Sequence, residues 1–135
     1  MLNWPKPYLL NFKSMLLSSF FTIDNIEDTD KGFVSHITLN GAHEIYEGHF
    51  PQNPVTPGVI QLQLVKELLE TKFNKSLTLN TMSRCKYLKV LDPRSTPNIQ
   101  ISIEFTASST PENPSVSASG QHGDDVFFKF NATYL

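Results

Sequence analysis

The run Gly48-His49-Phe50-Pro51-Gln52-Asn53-Pro54-Val55-Thr56-Pro57-Gly58-Val59 holds the residues best suited to chemistry in this chain. Three prolines pin backbone φ angles along it, and a histidine stands at its rigid start. Gly58 sits where an apolar run of helical spacing begins. The first N–H groups of a helix lack internal partners and point outward, and a glycine among them lets a ligand approach closely. A fixed imidazole near such groups is suited to take a proton from a carbon beside a carbonyl, while the N–H groups stabilise the developing oxyanion. A proline-rich structural loop with a surface histidine is the simpler reading of the same residues.

Several elements must position that loop. Phe20 to Ile26 and Phe33 to Leu39 are rich in β-formers, and Asp28-Thr29-Asp30-Lys31-Gly32 between them is turn chemistry, so the two runs read as a hairpin. Phe33, Ile37 and Leu39 share one face of the second strand. Residues 40–57 read as a long loop, a length often associated with function. Leu62, Val65, Leu69 and Phe73 fall at helical spacing, and Ile60, Leu64 and Leu68 widen the apolar surface, as suits a helix wrapped by a sheet. The period then returns to two. Leu77 to Val90 is a strand candidate, Ile99, Ile101, Ile103 and Phe105 alternate with polar residues, Val116 and Ala118 alternate with serines, and Gly120 to Asp125 turns the chain. Val126, Phe128, Phe130, Ala132 and Tyr134 line one face of a last strand. The order is two strands, loop, helix and four strands: a single α+β domain over 1–135, with 1–18 an N-terminal extension that forms a short helix or turn at its edge.

The segment His-Phe-Pro-x-x-Pro-x-x-Pro-Gly-Val, from His49 to Val59, resembles the signature loop of the hot-dog 3-hydroxyacyl-[acyl-carrier-protein] dehydratases. The stretch Lys86-Tyr87-Leu88-Lys89-Val90-Leu91-Asp92-Pro93 resembles that family's strand leading into a proline turn, and the resemblance covers most of the chain beyond residue 18. It implies a hot-dog fold, an antiparallel sheet wrapped around one long central helix. It further implies a dimer with sheets joined edge to edge, active sites at the subunit interface, and a tunnel for the acyl chain. His49 matches the base that acts on the α-carbon, and the Gly58 N–H matches the donor that polarises the thioester carbonyl. Phe50, Pro57 and Val59 fall where substrate is bound. The reaction is dehydration of a 3-hydroxyacyl chain on acyl carrier protein to the trans-2-enoyl thioester, with no cofactor.

One departure stands out. The family's acidic residue lies fourteen positions after the histidine, on the helix of the partner subunit, and here residue 63 is glutamine. Glutamine cannot donate a proton as a general acid, though its amide can hydrogen-bond a hydroxyl. The fatty-acid-synthesis enzymes often carry a glutamine one turn later, where this chain has Glu67. Gln63, Glu67 and Glu70 share one stripe. Three readings stay open: Glu67 serves as a displaced acid; His49 transfers both protons, aided by Gln63 and a water; or catalysis is lost and the chain is a binding or heterodimer-partner subunit. A solvated stripe is the plain alternative for Glu67 and Glu70. An acyl thioesterase is a further option for the fold, although the His49 loop favours the lyase. Pigment-pathway proteins of the aryl polyene and flexirubin type also lack the usual acid, and they resemble Pro57-Gly58-Val59-Ile60-Gln61-Leu62.

The remaining residues bound the function. A formal charge of −2 on 135 residues argues against nucleic acid as the main partner. Arg84, Lys86, Lys89 and Arg94 form a local basic cluster suited to steering an acidic carrier protein; ordinary solvated charge is the alternative. Arg84 and Lys86 are expected on one strand face, Lys89 on the other. The one cysteine, Cys85, allows no disulfide within the chain and reads as a small packed residue. His36, His43 and His122 read as surface or structural, and no spacing suggests a metal site. No apolar run approaches the ~20 residues a bilayer requires, and no signal-peptide pattern is evident, so the expectation is a cytoplasmic protein.

Overall fold

The computed structural model describes residues 15–48 and 52–135. Strands β1 (Phe21–Asp28) and β2 (Gly32–Leu39) form the expected hairpin, and α1 (Gly58–Phe73) follows the loop. Strands β3 (Leu79–Tyr87), β4 (Asn98–Phe105), β5 (Ser115–His122) and β6 (Asp125–Tyr134) complete one antiparallel sheet of order β1-β2-β4-β5-β6-β3. The loop before α1 is not wholly irregular, because Glu44–Gly48 forms a 3-10 helix. The expected break at Gly120 to Asp125 is also tighter, since β5 runs on to His122 and pairs with Asp125. Gly123, at φ 57°, supplies the left-handed residue of that turn.

The period-two apolar residues do what their spacing predicts. Ile37 of β2, Ile101 and Ile103 of β4, Val116 of β5 and Phe128 of β6 are fully buried and meet Leu64, Val65, Leu68 and Leu69 of α1 in one core. The breadth of that helix stripe reflects a sheet that curls around it, since flanking strands reach positions a flat sheet would leave wet. The helix stops at Asn74, whose left-handed conformation closes the last turn through its N–H to the Glu70 carbonyl. No helix among the described residues is long and apolar enough to cross a membrane.

Residues 15–20 bear on the N-terminal extension. They form turns rather than a helix, with Leu16 and Phe20 buried. Phe20 stacks on Tyr46 at 5.5 Å and meets the edge of His43 at 5.3 Å. The segment is thus part of the core; residues 1–14 lie outside the described residues.

Edge strand β3 differs from the others. Most of its residues are exposed, including Leu79, Met82 and Tyr87, and Leu88 and Val90 beyond it are exposed too. The strand carries a bulge, because Ser83 pairs with Asn131 and Lys86 with Lys129, so three steps on β3 span two on β6. Arg84, at φ 53°, takes up the extra residue. The bulge resets the alternation of faces, and it brings Tyr87 to the helix side of the sheet.

Candidate active site

His49, Phe50 and Pro51 lie outside the described residues. The residues that flank them in sequence are tied together. The Tyr46 hydroxyl is 2.8 Å from Thr56 Oγ1, the Thr56 N–H donates to the Leu91 carbonyl at 2.9 Å, and the Gln61 amide donates to the Thr56 carbonyl at 3.0 Å. Tyr46, Thr56 and Gln61 are all buried. Burial pushes the Tyr46 phenol up to about 12, opposed by its bond to Thr56 and reinforced by the negative charge of Asp92. The loop therefore leaves from and returns to a rigid base.

At the start of α1 the Ile60 and Gln61 N–H groups both donate to the Pro57 carbonyl, at 3.0 and 3.1 Å. No side chain caps the helix, and the N–H groups of Gly58 and Val59 have no acceptor among the described residues. Two unpaired donors thus face outward where the sequence predicts an oxyanion site. Pro57 is half-buried and Val59 is exposed beside it. What approaches Gly58 closely here is the ring of Tyr87: a β-carbon built at Gly58 would lie 2.6 Å from its Cζ. Tyr87 is a site residue that reading the sequence missed, because simple alternation hides a strand bulge. Its phenol is held up at about 12 by partial burial and a hydrogen bond with Cys85. Cys85 is half-buried beside it, consistent with a packed residue.

One and a half turns along α1, Gln63 lines a groove between the helix and β3 together with Val59, Leu62, Lys66, Leu79 and Met82, with Phe130 and Tyr134 as its floor. Its volume is about 180 Å³, smaller than the roughly 300–1,000 Å³ of self-contained small-molecule sites. Exposed Val59, Leu79 and Met82 form its rim.

Glu67 is fully buried, so the solvated-stripe reading fails for it. Its carboxylate accepts from Leu16 N–H through both oxygens at 3.0 Å, from Leu17 N–H at 2.9 Å, and from Gln63 Nε2 at 2.8 Å. Three N–H donors thus share its two oxygens, the Leu16 N–H being bifurcated between them. Glu67 thus fastens the N-terminal segment to the helix. Glu70 is buried as well, against the same expectation: it accepts from Leu77 N–H at 2.9 Å and pairs with Lys66 at 3.3 Å. Burial, reinforced by the negative charge of Glu70, pushes the Tyr134 phenol up.

The four basic residues do not form one patch. Lys89 pairs with Asp125, and Arg94 lies 3.5 Å from Asp92. Arg84 and Lys86 instead join Lys129 in a groove of about 670 Å³ on the sheet, lined also by Glu104 and serines of β4 and β5 and by no residue of α1. This larger cavity lies away from the helix start. His36 sits 3.5 Å from Glu27, His43 Nδ1 accepts from Ile45 N–H, and His122 Nδ1 lies 2.8 Å from the Asn98 carbonyl oxygen, as structural histidines do. Among the described residues no cluster of His, Cys, Asp and Glu could hold a metal ion.

Comparison with known proteins agrees with this architecture. Residues 25–121 match the model of the ApeI-like family, described as ApeI dehydratase. Curated relatives include the 3-hydroxyacyl-[acyl-carrier-protein] dehydratase FabZ of Rickettsia bellii, 28% identical over 97 residues, a match covering 63% of this chain and 66% of that protein. The Rickettsia rickettsii FabZ is 29% identical over 79 residues, 53% of each chain. The chain therefore spans 66% and 53% of the length of these two curated relatives. Among solved structures, the dehydratase heterocomplex ApeI:P from Xenorhabdus doucetiae superposes with a TM-score of 0.64 at 16% identity, over 83% of this chain and 95% of that one. The virulence protein Cj0977 of Campylobacter jejuni gives 0.57 at 13% identity, over 87% and 77%. At such identities these structures speak for the fold, and the fold is the hot dog.

Proposed function

The chain belongs to the ApeI-like dehydratase family, and from that premise we propose that it removes water from a 3-hydroxyacyl thioester on acyl carrier protein. The observation that carries this reading is the start of α1, where the N–H groups of Gly58 and Val59 have no acceptor among the described residues, on the same helix as the groove that Gln63 lines. The His49 imidazole takes the α-proton, and the electron pair moves onto the thioester oxygen, where the Gly58 N–H stabilises it. The enolate then expels the 3-hydroxyl as the C–O bond breaks, and a proton joins it to give water and the trans-2-enoyl thioester. One such N–H donor is worth about 10²–10³ in rate.

The second proton needs a source. Gln63 has no acidic proton, and Glu67 is fully buried with its carboxylate held by the N–H groups of Leu16, Leu17 and Gln63, which argues against a displaced acid. Two sources remain: His49 itself, returning the proton it took, or a carboxylate on the helix of a partner subunit. The exposed apolar rim of the groove and the open edge of β3 favour pairing through that edge. A homodimer sets Gln63 at both sites; a heterodimer with a carboxylate-bearing hot-dog chain supplies an acid to the site that holds His49. The ApeI:P structure is of a heterocomplex, which lends weight to the second arrangement. Gln63 also favours one alternative function, a non-catalytic subunit that binds the acyl carrier.

The deciding experiment follows enoyl formation from a 3-hydroxyacyl carrier substrate with the chain alone and with a candidate partner. His49→Ala should abolish turnover in either setting. Activity that survives His49→Ala refutes the assigned base. No turnover by the wild type, by Gln63→Glu or by any mixture, with acyl carrier still bound, favours the binding role instead.

A further inference from the structure

We propose that Glu67 is a positioning residue, which turns the side-chain amide of Gln63 so that its carbonyl oxygen faces the groove between α1 and β3 and accepts a hydrogen bond from the acyl chain's 3-hydroxyl. The identity of that hydroxyl rests on the dehydratase reading; the orientation of the amide does not.

The orientation follows from donor and acceptor arithmetic. Glu67 is fully buried, and its carboxylate is surrounded by N–H groups of Leu16 and Leu17. It can only accept. Gln63, 2.8 Å away and one turn earlier, must therefore present its NH₂ group to Glu67, and the amide oxygen is left as the other end. Gln63 lines the groove with Val59, Leu62, Leu79 and Met82, and Lys66, which also lines it, holds its ammonium on Glu70. In such surroundings the amide oxygen selects for a donor and against an acceptor, since two facing lone pairs leave both groups unpaired. A 3-hydroxyacyl chain offers that donor; a 3-oxoacyl chain of the same length offers only an acceptor. Glu67, though it touches no substrate, thereby sets the site to distinguish an alcohol from a ketone at the third carbon.

The reverse polarity can be installed. In Glu67→Gln the new amide oxygen stays on the Leu16 and Leu17 N–H groups, its NH₂ turns to Gln63, and the Gln63 amide must flip to accept. An NH₂ group then faces the groove. Exchanging both residues, Gln63→Glu with Glu67→Gln, again leaves an acceptor facing outward.

The test compares binding of a 3-hydroxyacyl-pantetheine and the matching 3-oxoacyl-pantetheine to the full chain. Wild type should favour the hydroxyl compound by about 10-fold, the scale of one well-made hydrogen bond against an unpaired acceptor. Glu67→Gln should erase or invert that ratio, and the double exchange should restore it. Gln63→Met, which keeps the Leu16 and Leu17 bonds to Glu67, should stay folded and lose the preference, and it serves if Glu67→Gln fails to fold. An absent preference in wild type, or an unchanged ratio in folded Glu67→Gln or in Gln63→Met, overturns the proposal. Binding of neither thioester sinks the dehydratase reading instead. The orientation is then read by side-chain amide NMR, where the Gln63 NH₂ should be protected from exchange in wild type, and a freely exchanging NH₂ overturns the positioning role.

Discussion

Replacing Glu67 by alanine tests how the N-terminal segment is held. The carboxylate is fully buried and serves Leu16 N–H, Leu17 N–H and the Gln63 amide at 2.8–3.0 Å. Alanine leaves two backbone donors without their acceptor, one buried and one part-buried. A buried donor left unmade costs about 1–3 kcal/mol; Leu17, closer to solvent, belongs at the low end. A loss of about 2–4 kcal/mol follows, a large part of the roughly 5–15 kcal/mol that holds a domain of this kind together. Glu67→Gln keeps an acceptor for both N–H groups and should cost only about 1 kcal/mol, the difference between charged and neutral bonds. Urea unfolding of the three proteins gives the energies, and native-state hydrogen exchange gives the locality. The Leu16 and Leu17 amides should lose protection in the alanine variant before the core amides of Ile101 and Phe128 do. If alanine and glutamine variants are equally stable within about 0.5 kcal/mol, or if Leu16 and Leu17 stay protected in both, the clamp is not what holds the segment.

Exchanging the pair, Gln63→Glu with Glu67→Gln, returns a carboxyl group to the groove, and its protonated fraction should raise turnover of the chain alone by up to about 10²–10⁴-fold, the usual contribution of a general acid, as measured by enoyl formation. Gly58→Ala should push the Tyr87 ring aside, because the new methyl lies 2.6 Å from its Cζ. Its phenol should then titrate below about 12 while urea unfolding changes little, since a half-exposed ring tip can move. Tyr46 is raised in the folded state to about 12 from an ordinary 10. The stability it contributes is complete below pH 10 and is lost as pH rises through 12; Tyr46→Phe should flatten that part of the stability–pH curve. Met82→Arg on the rim of the groove should shift the assembly toward monomer in sedimentation if the open β3 edge is the pairing surface.

The amino-acid order by itself determined the element plan. Period-two runs such as Ile99 to Phe105 and the helical stripe from Leu62 to Phe73 each have one wet and one dry side, and a sheet wrapped around the helix buries both. It also placed the proline loop at the helix start and left Gly58 and Val59 without a cap. Tertiary structure decided the rest, because partners distant in the chain set it. Glu67 is a buried clamp rather than a solvated or acidic catalytic group because Leu16 and Leu17, about fifty residues earlier, turn their N–H groups onto it. Glu70 is buried because the chain after α1 doubles back and places the Leu77 N–H against it. Tyr87 reaches Gly58 because Arg84 adopts a left-handed bulge that reverses the alternation of β3, which no periodicity in the sequence reveals. Lys89 and Arg94 find acids of their own, while Arg84 and Lys86 meet Lys129 across a strand pairing. Local patterning reports which face of an element is dry; which charge or hydrogen-bond partner waits there depends on folding the chain.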